Sequence, residues 1–223
     1  MENFSWFKKE SLRLIIIGLP FAFLAIFWQD LPVRIPMHWN LNGEIDGYGS
    51  KLGLLGLAAI NVVLFGIFML LPHLDPKRQN YEHFESKWHI MQVIIHLFFT
   101  YIFMIIGFIS LGYHLQADLV IKYGVIGLFL ILGNYLGTLR PNFFICIRTP
   151  WTLSNDYVWQ KTHRFTATLW VLSSLVMLIY NFWEKNYPWA FFVYIGILAL
   201  VPVLYSFIIY KKQPKVPAYR SEE

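Results

Sequence analysis

The chain has 223 residues, of which 57% are hydrophobic and only 14% charged, with a formal net charge of +5. A soluble domain of this size carries about a quarter charged residues, so the composition excludes an ordinary soluble protein and points to the membrane. The positive excess gives no reason to invoke direct nucleic-acid binding, because basic residues beside a membrane contact anionic headgroups.

Six runs free of charge follow one another: Leu14–Gln29, Leu52–Leu74, Trp88–Ala117, Tyr123–Leu139, Phe165–Trp183 and Asn186–Tyr210. A hydrocarbon core about 30 Å thick needs roughly 20 helical residues. The first and fourth runs are slightly short, and Leu12–Arg13 and Leu119–Lys122 extend them if the Arg and Lys heads snorkel outward. The expected fold class is an all-α integral membrane protein with six transmembrane helices in one bundle. The segment before the first run mixes Glu2 and Glu10 with Lys8 and Lys9, and no small-x-small site follows Trp28. A cleavable signal is therefore not expected.

Basic residues set the expected orientation. With the N-terminus in the cytoplasm, only Arg34, Lys51, Lys122 and Lys185 of the 18 Lys and Arg lie outside. The rest fall in short inner segments, where positive charge is retained, so both termini are expected to be cytoplasmic. Residues 1–74 read as a transmembrane hairpin with an outer loop at 29–51. Residues 75–210 read as a four-helix part with an inner elbow at 139–164, followed by a cytoplasmic tail at 211–223.

In the outer loop, Pro32 and Pro36 hold the chain extended. His38, Asn40, Asn42, Glu44 and Asp46 then alternate, which places them on one side of an extended segment, with Gly43, Gly47 and Gly49 as turn residues. These five are candidates for contact with an external peptide ligand. An EF-hand reading aligns Asn42, Glu44, Asp46 and Gly47, yet puts Gly53 where a bidentate Glu is required, so no metal is expected. The plainer reading is a hairpin-like cap on the bundle.

At the start of the third run, Glu85, His89, Gln92 and His96 fall on one helical face. The stripe suits a proton or ion path, or hydrogen bonding to neighbouring helices. No Asp, Glu, Lys or Arg lies deeper in this run, which favours the second. The spacing of His83, Glu85 and His89 is not that of an H-E-x-x-H zinc site.

The inner elbow is too polar for a simple connector. Arg140 and Pro141 end the fourth run, and Asn142, Phe143, Phe144 and Ile145 continue amphipathically along the interface. Arg148, Thr149 and Pro150 form a turn, and Trp151 suits headgroup depth. Thr152 or Ser154 is expected to cap the helix that follows. His163 and Arg164 lie at the membrane boundary. The basic and aromatic residues suit an interfacial anchor, which leaves Asn134, Asn142 and His163 unexplained.

The string RPNFFICIRTPWTLSNDYVWQKTHRF, with Gly133 and Asn134 before it, closely resembles the signature of the SdpI family of bacterial membrane proteins. Arg140, Pro141, Asn142, Phe143, Ile147, Arg148, Thr149, Pro150, Trp151, Thr152, Leu153, Trp159, Lys161, Thr162, His163 and Arg164 carry the resemblance. The outer loop is similar to a domain of unknown function often found ahead of it, through Pro36, His38, Asn40, Gly43, Asp46, Gly47, Gly49 and Lys51. One departure is Cys146, where a glycine or small residue is expected. The resemblance implies a non-enzymatic inner-membrane protein, without cofactor, that confers immunity to a secreted peptide toxin. In one member of the family the protein also signals by drawing a cytoplasmic transcriptional repressor to the membrane.

Two other classes compete. A small transporter or channel would use the stripe from Glu85 to His96. A membrane enzyme would use His163 as base, but no nucleophile stands beside a histidine at a recognisable spacing.

Overall fold

The structure, a computed structural model, describes residues 2–40, 43–183 and 188–213. In chain order it contains α1 (Glu2–Phe27), β1 (Arg34–Trp39), β2 (Ile45–Ser50), α2 (Lys51–Leu74) and a 3-10 turn (Arg78–His83). Then come α3 (Glu85–Ser110), α4 (Ala117–Leu136), α5 (Pro150–Ser154), α6 (Asp156–Trp183) and α7 (Pro188–Lys211). Every helix except α5 is long and apolar enough to cross a membrane, giving the six spans expected. Only 17–39% of each apolar window is buried within the protein, so most of each span must be covered by lipid. Val176 and Leu204, 65% and 61% exposed, are such lipid-facing positions.

The apolar run that continues to Ala117 is broken at Gly112, whose φ of +92° is readily adopted only by glycine. Its N–H donates to Ile109 and that of Tyr113 to Phe108, so α3 closes in a Schellman motif. The loop between the first two spans is an antiparallel hairpin of β1 and β2, the one addition to an otherwise helical fold among the described residues. Ser50 caps α2 through Gly53, and Lys51 reaches back to the Trp28 carbonyl at 2.8 Å, so the hairpin is tied to both helices it joins.

Three apolar clusters stack along the bundle. Beneath the hairpin, Phe23, Leu24, Ile35, Leu54, Phe103 and Ile106 form a dry plug. Gly107 permits it, since a Cβ there would come within 2.8 Å of the Phe23 ring. At the opposite end, Phe68, Tyr81, Phe84, Trp88, Leu136, Leu139 and Ile145 join α2, the 3-10 turn, α3, α4 and the elbow. Ile126, Met177, Tyr194 and Leu198 hold α4, α6 and α7 together. α3 is the shared wall, packing on α1 and α2 as well as on α4.

Between the plug and the far end lies a polar staple. Asn61 donates to Thr100 Oγ1 at 2.9 Å and its carbonyl oxygen meets His96 Nδ1 at 3.1 Å; Thr100 in turn donates to the Ile16 carbonyl. All three side chains are buried, so the staple locks α1, α2 and α3 where few other polar contacts exist.

Candidate functional site

The elbow, from the end of α4 to the start of α6, is irregular backbone held by side chains. Asn142, 1% exposed, accepts from the N–H groups of Phe144 and Ile145 and donates to the Arg140 carbonyl, so it folds the turn itself. Thr149 and Thr152 form a reciprocal capping box at α5, with Pro150 in its first turn. Thr149 Oγ1 also meets Ser206 Oγ of α7 at 3.2 Å. Asn155, not Thr152 or Ser154, receives the first N–H groups of α6, from Tyr157 and Val158. The expected cap is thus corrected: two short helical starts replace one, each with its own cap.

His163 is 1% exposed and stacked on Trp159 at 4.0 Å. Its Nδ1–H donates to the Trp159 carbonyl at 2.8 Å and its Nε2 accepts from the Ile147 N–H at 3.4 Å. With both nitrogens engaged by backbone, it presents no lone pair for base chemistry. Trp159 donates to the Leu139 carbonyl at 3.1 Å, closing the elbow onto the end of α4.

The basic residues turn the other way. Arg140, Arg148, Lys161 and Arg164 are exposed, and Arg148 keeps one contact with the Phe143 carbonyl. Trp151 packs edge-on against Phe207 of α7. Asn134 is exposed on α4 and donates to the Leu130 carbonyl, apart from the elbow. The motif residues therefore split: Asn142, Thr149, Thr152 and His163 build the elbow, while the cations fan out from it.

Sequence reasoning missed the elbow's partner, the loop after α2. Asp75, 3% exposed, accepts from the Lys77 and Phe143 N–H groups and the Tyr81 hydroxyl. Asn80 donates to the Pro141 carbonyl, and Lys77 pairs with Asp156 at 3.0 Å. Burial, together with the Asp75 carboxylate, pushes the Tyr81 phenol well above its ordinary range. An acid directly after a span, followed by Pro, was the available signal; the partner 68 residues away was not visible.

Cys146 occupies left-handed backbone, φ +74°, which explains why a glycine is expected there. Burial pushes its thiol upward, with Arg148 opposing.

α1, α2, α3 and the 3-10 turn line a half-open cavity of about 440 Å³. Glu85, His89 and Gln92 line it, together with Glu10, Arg13, Arg78 and Trp88. His96 lies deeper, in the Asn61 staple. Arg13 corrects an expectation: its head does not snorkel outward but is 2% exposed, paired with Glu10 and set 5.1 Å over the Phe65 ring. The reason is that Glu10, one turn earlier, offers an inward partner. Two charges within a span were the signal.

At the opposite end the hairpin's polar residues satisfy one another. His38 Nδ1 meets Asp46 at 2.5 Å, and Asn40 donates to Glu44 at 2.8 Å. Asn42 lies outside the described residues. Behind them a groove of about 330 Å³ is lined by Met37, Trp39, Ile102, Ile106, Phe191 and Phe192, with Asp118 and Lys122 at its edge.

Fold and site together define a polytopic helical membrane protein with a hairpin cap at one end and a structured elbow at the other. Residues 138–206 match the SdpI/YfhL protein family and residues 15–62 match a domain of unknown function, DUF1648. The chain is 29% identical over 207 residues, 92% of its length and 97% of the relative's, to "Immunity protein SdpI" of Bacillus subtilis (strain 168). The elbow string lies inside the segment that matches the SdpI/YfhL family, and the chain is a multi-pass protein of the bacterial cytoplasmic membrane. No solved structure matches it.

Proposed function

We propose that the protein confers immunity to a secreted, membrane-active peptide and does so without enzymatic chemistry. The observation that carries this is the similarity to an immunity protein over 92% of the chain. The hairpin end faces outward and the elbow end inward, in keeping with the concentration of basic residues at the elbow. An apolar peptide docks in the groove behind the hairpin, where Trp39, Phe191 and Phe192 offer aromatic surface and Asp118 and Lys122 offer charge. His38, Asn40, Glu44 and Asp46 shape that rim by pairing with one another.

The elbow's exposed Arg140, Arg148, Lys161 and Arg164 serve first as a grip on anionic lipid headgroups. The same face suits a cytoplasmic partner with acidic surface, and a transcriptional repressor held at the membrane is the partner we propose. A transporter reading is less well supported. The stripe from Glu85 ends at His96, and the plug of Phe23, Leu54, Phe103 and Ile106 stands between it and the hairpin.

Expression in cells sensitive to a killing peptide, with survivors counted, tests the proposal. Survival is expected with the unaltered chain and should fall with Trp39→Ala or Phe192→Ala at equal membrane abundance. Failure to protect against any peptide of the class, with the protein correctly inserted, would remove the reading.

A further inference from the structure

The cavity between α1, α2 and α3 has walls that the protein does not satisfy. Arg13 gives Nη2 to Glu10, but its Nε and Nη1 have no hydrogen-bond partner within the protein. The same holds for Trp88 Nε1 and Gln92 Oε1. Arg13, Trp88 and Gln92 are all at least nine-tenths buried and all line the same space of about 440 Å³. One such group in a fold is unremarkable; three on one cavity are not, because each unmade buried hydrogen bond is costly. The volume falls in the range of small-molecule sites.

The arrangement also says what kind of ligand fits. The unpartnered Nε–H and Nη1–H of the Arg13 guanidinium lie in one plane on different edges, each a charged donor suited to an oxygen of phosphate or carboxylate, and the Trp88 indole adds a donor. Arg78 at the wall supplies a second cation. A bare anion would nevertheless leave Gln92 Oε1 without a donor and would face Glu10, Glu82 and Glu85. The ligand must therefore carry its own donors, hydroxyl or ammonium, close to its oxyanion. Phe68, Met69 and Pro72 provide an apolar wall on α2, where Leu70 and Leu74 beside them face lipid.

We propose that this cavity binds a phosphate ester bearing hydrogen-bond donors, with the phosphate on Arg13 and Trp88 and the donors on Gln92 and Glu10. A phospholipid headgroup and a free phosphomonoester share that chemistry. The inference goes beyond the immunity reading and does not depend on it, since binding is read on the purified protein.

The test uses the full chain, stripped of lipid in detergent, with binding followed by native mass spectrometry and thermal unfolding. The probes are phosphatidylglycerol, phosphatidylethanolamine, phosphatidylcholine and glycerol 3-phosphate. Phosphatidylglycerol or phosphatidylethanolamine should bind about tenfold more tightly than phosphatidylcholine, whose headgroup has no donor. Binding of glycerol 3-phosphate would assign a soluble ligand, and binding of the lipids alone a headgroup; both support the site. Trp88→Phe removes only the indole N–H and keeps an aromatic ring beside Phe68, and should weaken binding by roughly fivefold to tenfold. Arg13→Lys, which keeps the charge but loses the planar set of N–H donors, should weaken it further, while Lys77→Ala should change nothing. Binding of none of the probes, equal affinity for phosphatidylcholine, or unchanged affinity in both Trp88→Phe and Arg13→Lys would overturn the proposal.

Discussion

The Asp75 carboxylate accepts the backbone N–H of Phe143 at 2.9 Å, joining the loop after α2 to the elbow across 68 residues of sequence. The same oxygen takes the Tyr81 hydroxyl at 3.1 Å, and the other oxygen takes the Lys77 N–H. Asp75→Ala leaves a buried N–H without an acceptor and should destabilise the protein by about 1–3 kcal/mol. The midpoint of thermal unfolding in detergent measures this. An unchanged midpoint would mean that the elbow is held by other contacts.

Tyr81 gives the same joint a dependence on alkaline pH. Its phenol is raised in the folded protein, first by burial and then by Asp75, so the folded state keeps a proton that the unfolded state releases. Its stabilising contribution is complete below the ordinary tyrosine value near 10 and declines as pH rises above it. Tyr81→Phe should therefore be less stable than the unaltered protein at neutral pH, with the gap closing above about pH 10. Denaturation midpoints at a series of pH values test this, and a constant gap would count against it.

Cys146 carries two expectations. The left-handed backbone penalises any side chain, so Cys146→Gly should change stability by less than about 1 kcal/mol, while Cys146→Val should cost about 1–2 kcal/mol. Partial burial raises its thiol, so alkylation at pH 8 should be slower than that of a small free thiol. Labelling of the folded protein as fast as that of a small free thiol would count against it.

His38 and Asp46 pair on the exposed face of the hairpin, with side chains 72% and 43% exposed. Exposed pairs contribute little, so His38→Ala should shift stability by less than about 1 kcal/mol. Under the proposed immunity function it should nonetheless alter protection, because His38 also lines the groove with Met37 and Trp39. A stable variant with full protection would move peptide recognition away from the hairpin.

The elbow shows how far a sequence carries and where it stops. Its residues were all legible as unusual, since Arg, Asn, Thr and His are costly at a membrane boundary. Their roles were not, because side chains of one string divide between backbone contacts and solvent only once the chain is folded. Asn142 and His163, two of the three that anchoring left unexplained, are consumed in folding the elbow, while Asn134 bonds only within α4. Arg13 was legible as a charge near a span, but its inward direction depended on Glu10 and on the cavity that α2 and α3 complete.

From the sequence alone came the six spans, the polar elbow, the extended first loop and the family resemblance, because hydropathy, charge placement and motif strings are local properties. The tertiary structure alone decided that Asp75 meets Phe143, that Asn61 links His96 to Thr100, and that Arg13, Trp88 and Gln92 share one cavity. Each of these joins residues far apart in the chain. In a bundle whose outer surface is lipid, the apolar pattern fixes which segments span, but not which face of each helix meets which neighbour. That choice rests on a few buried polar contacts.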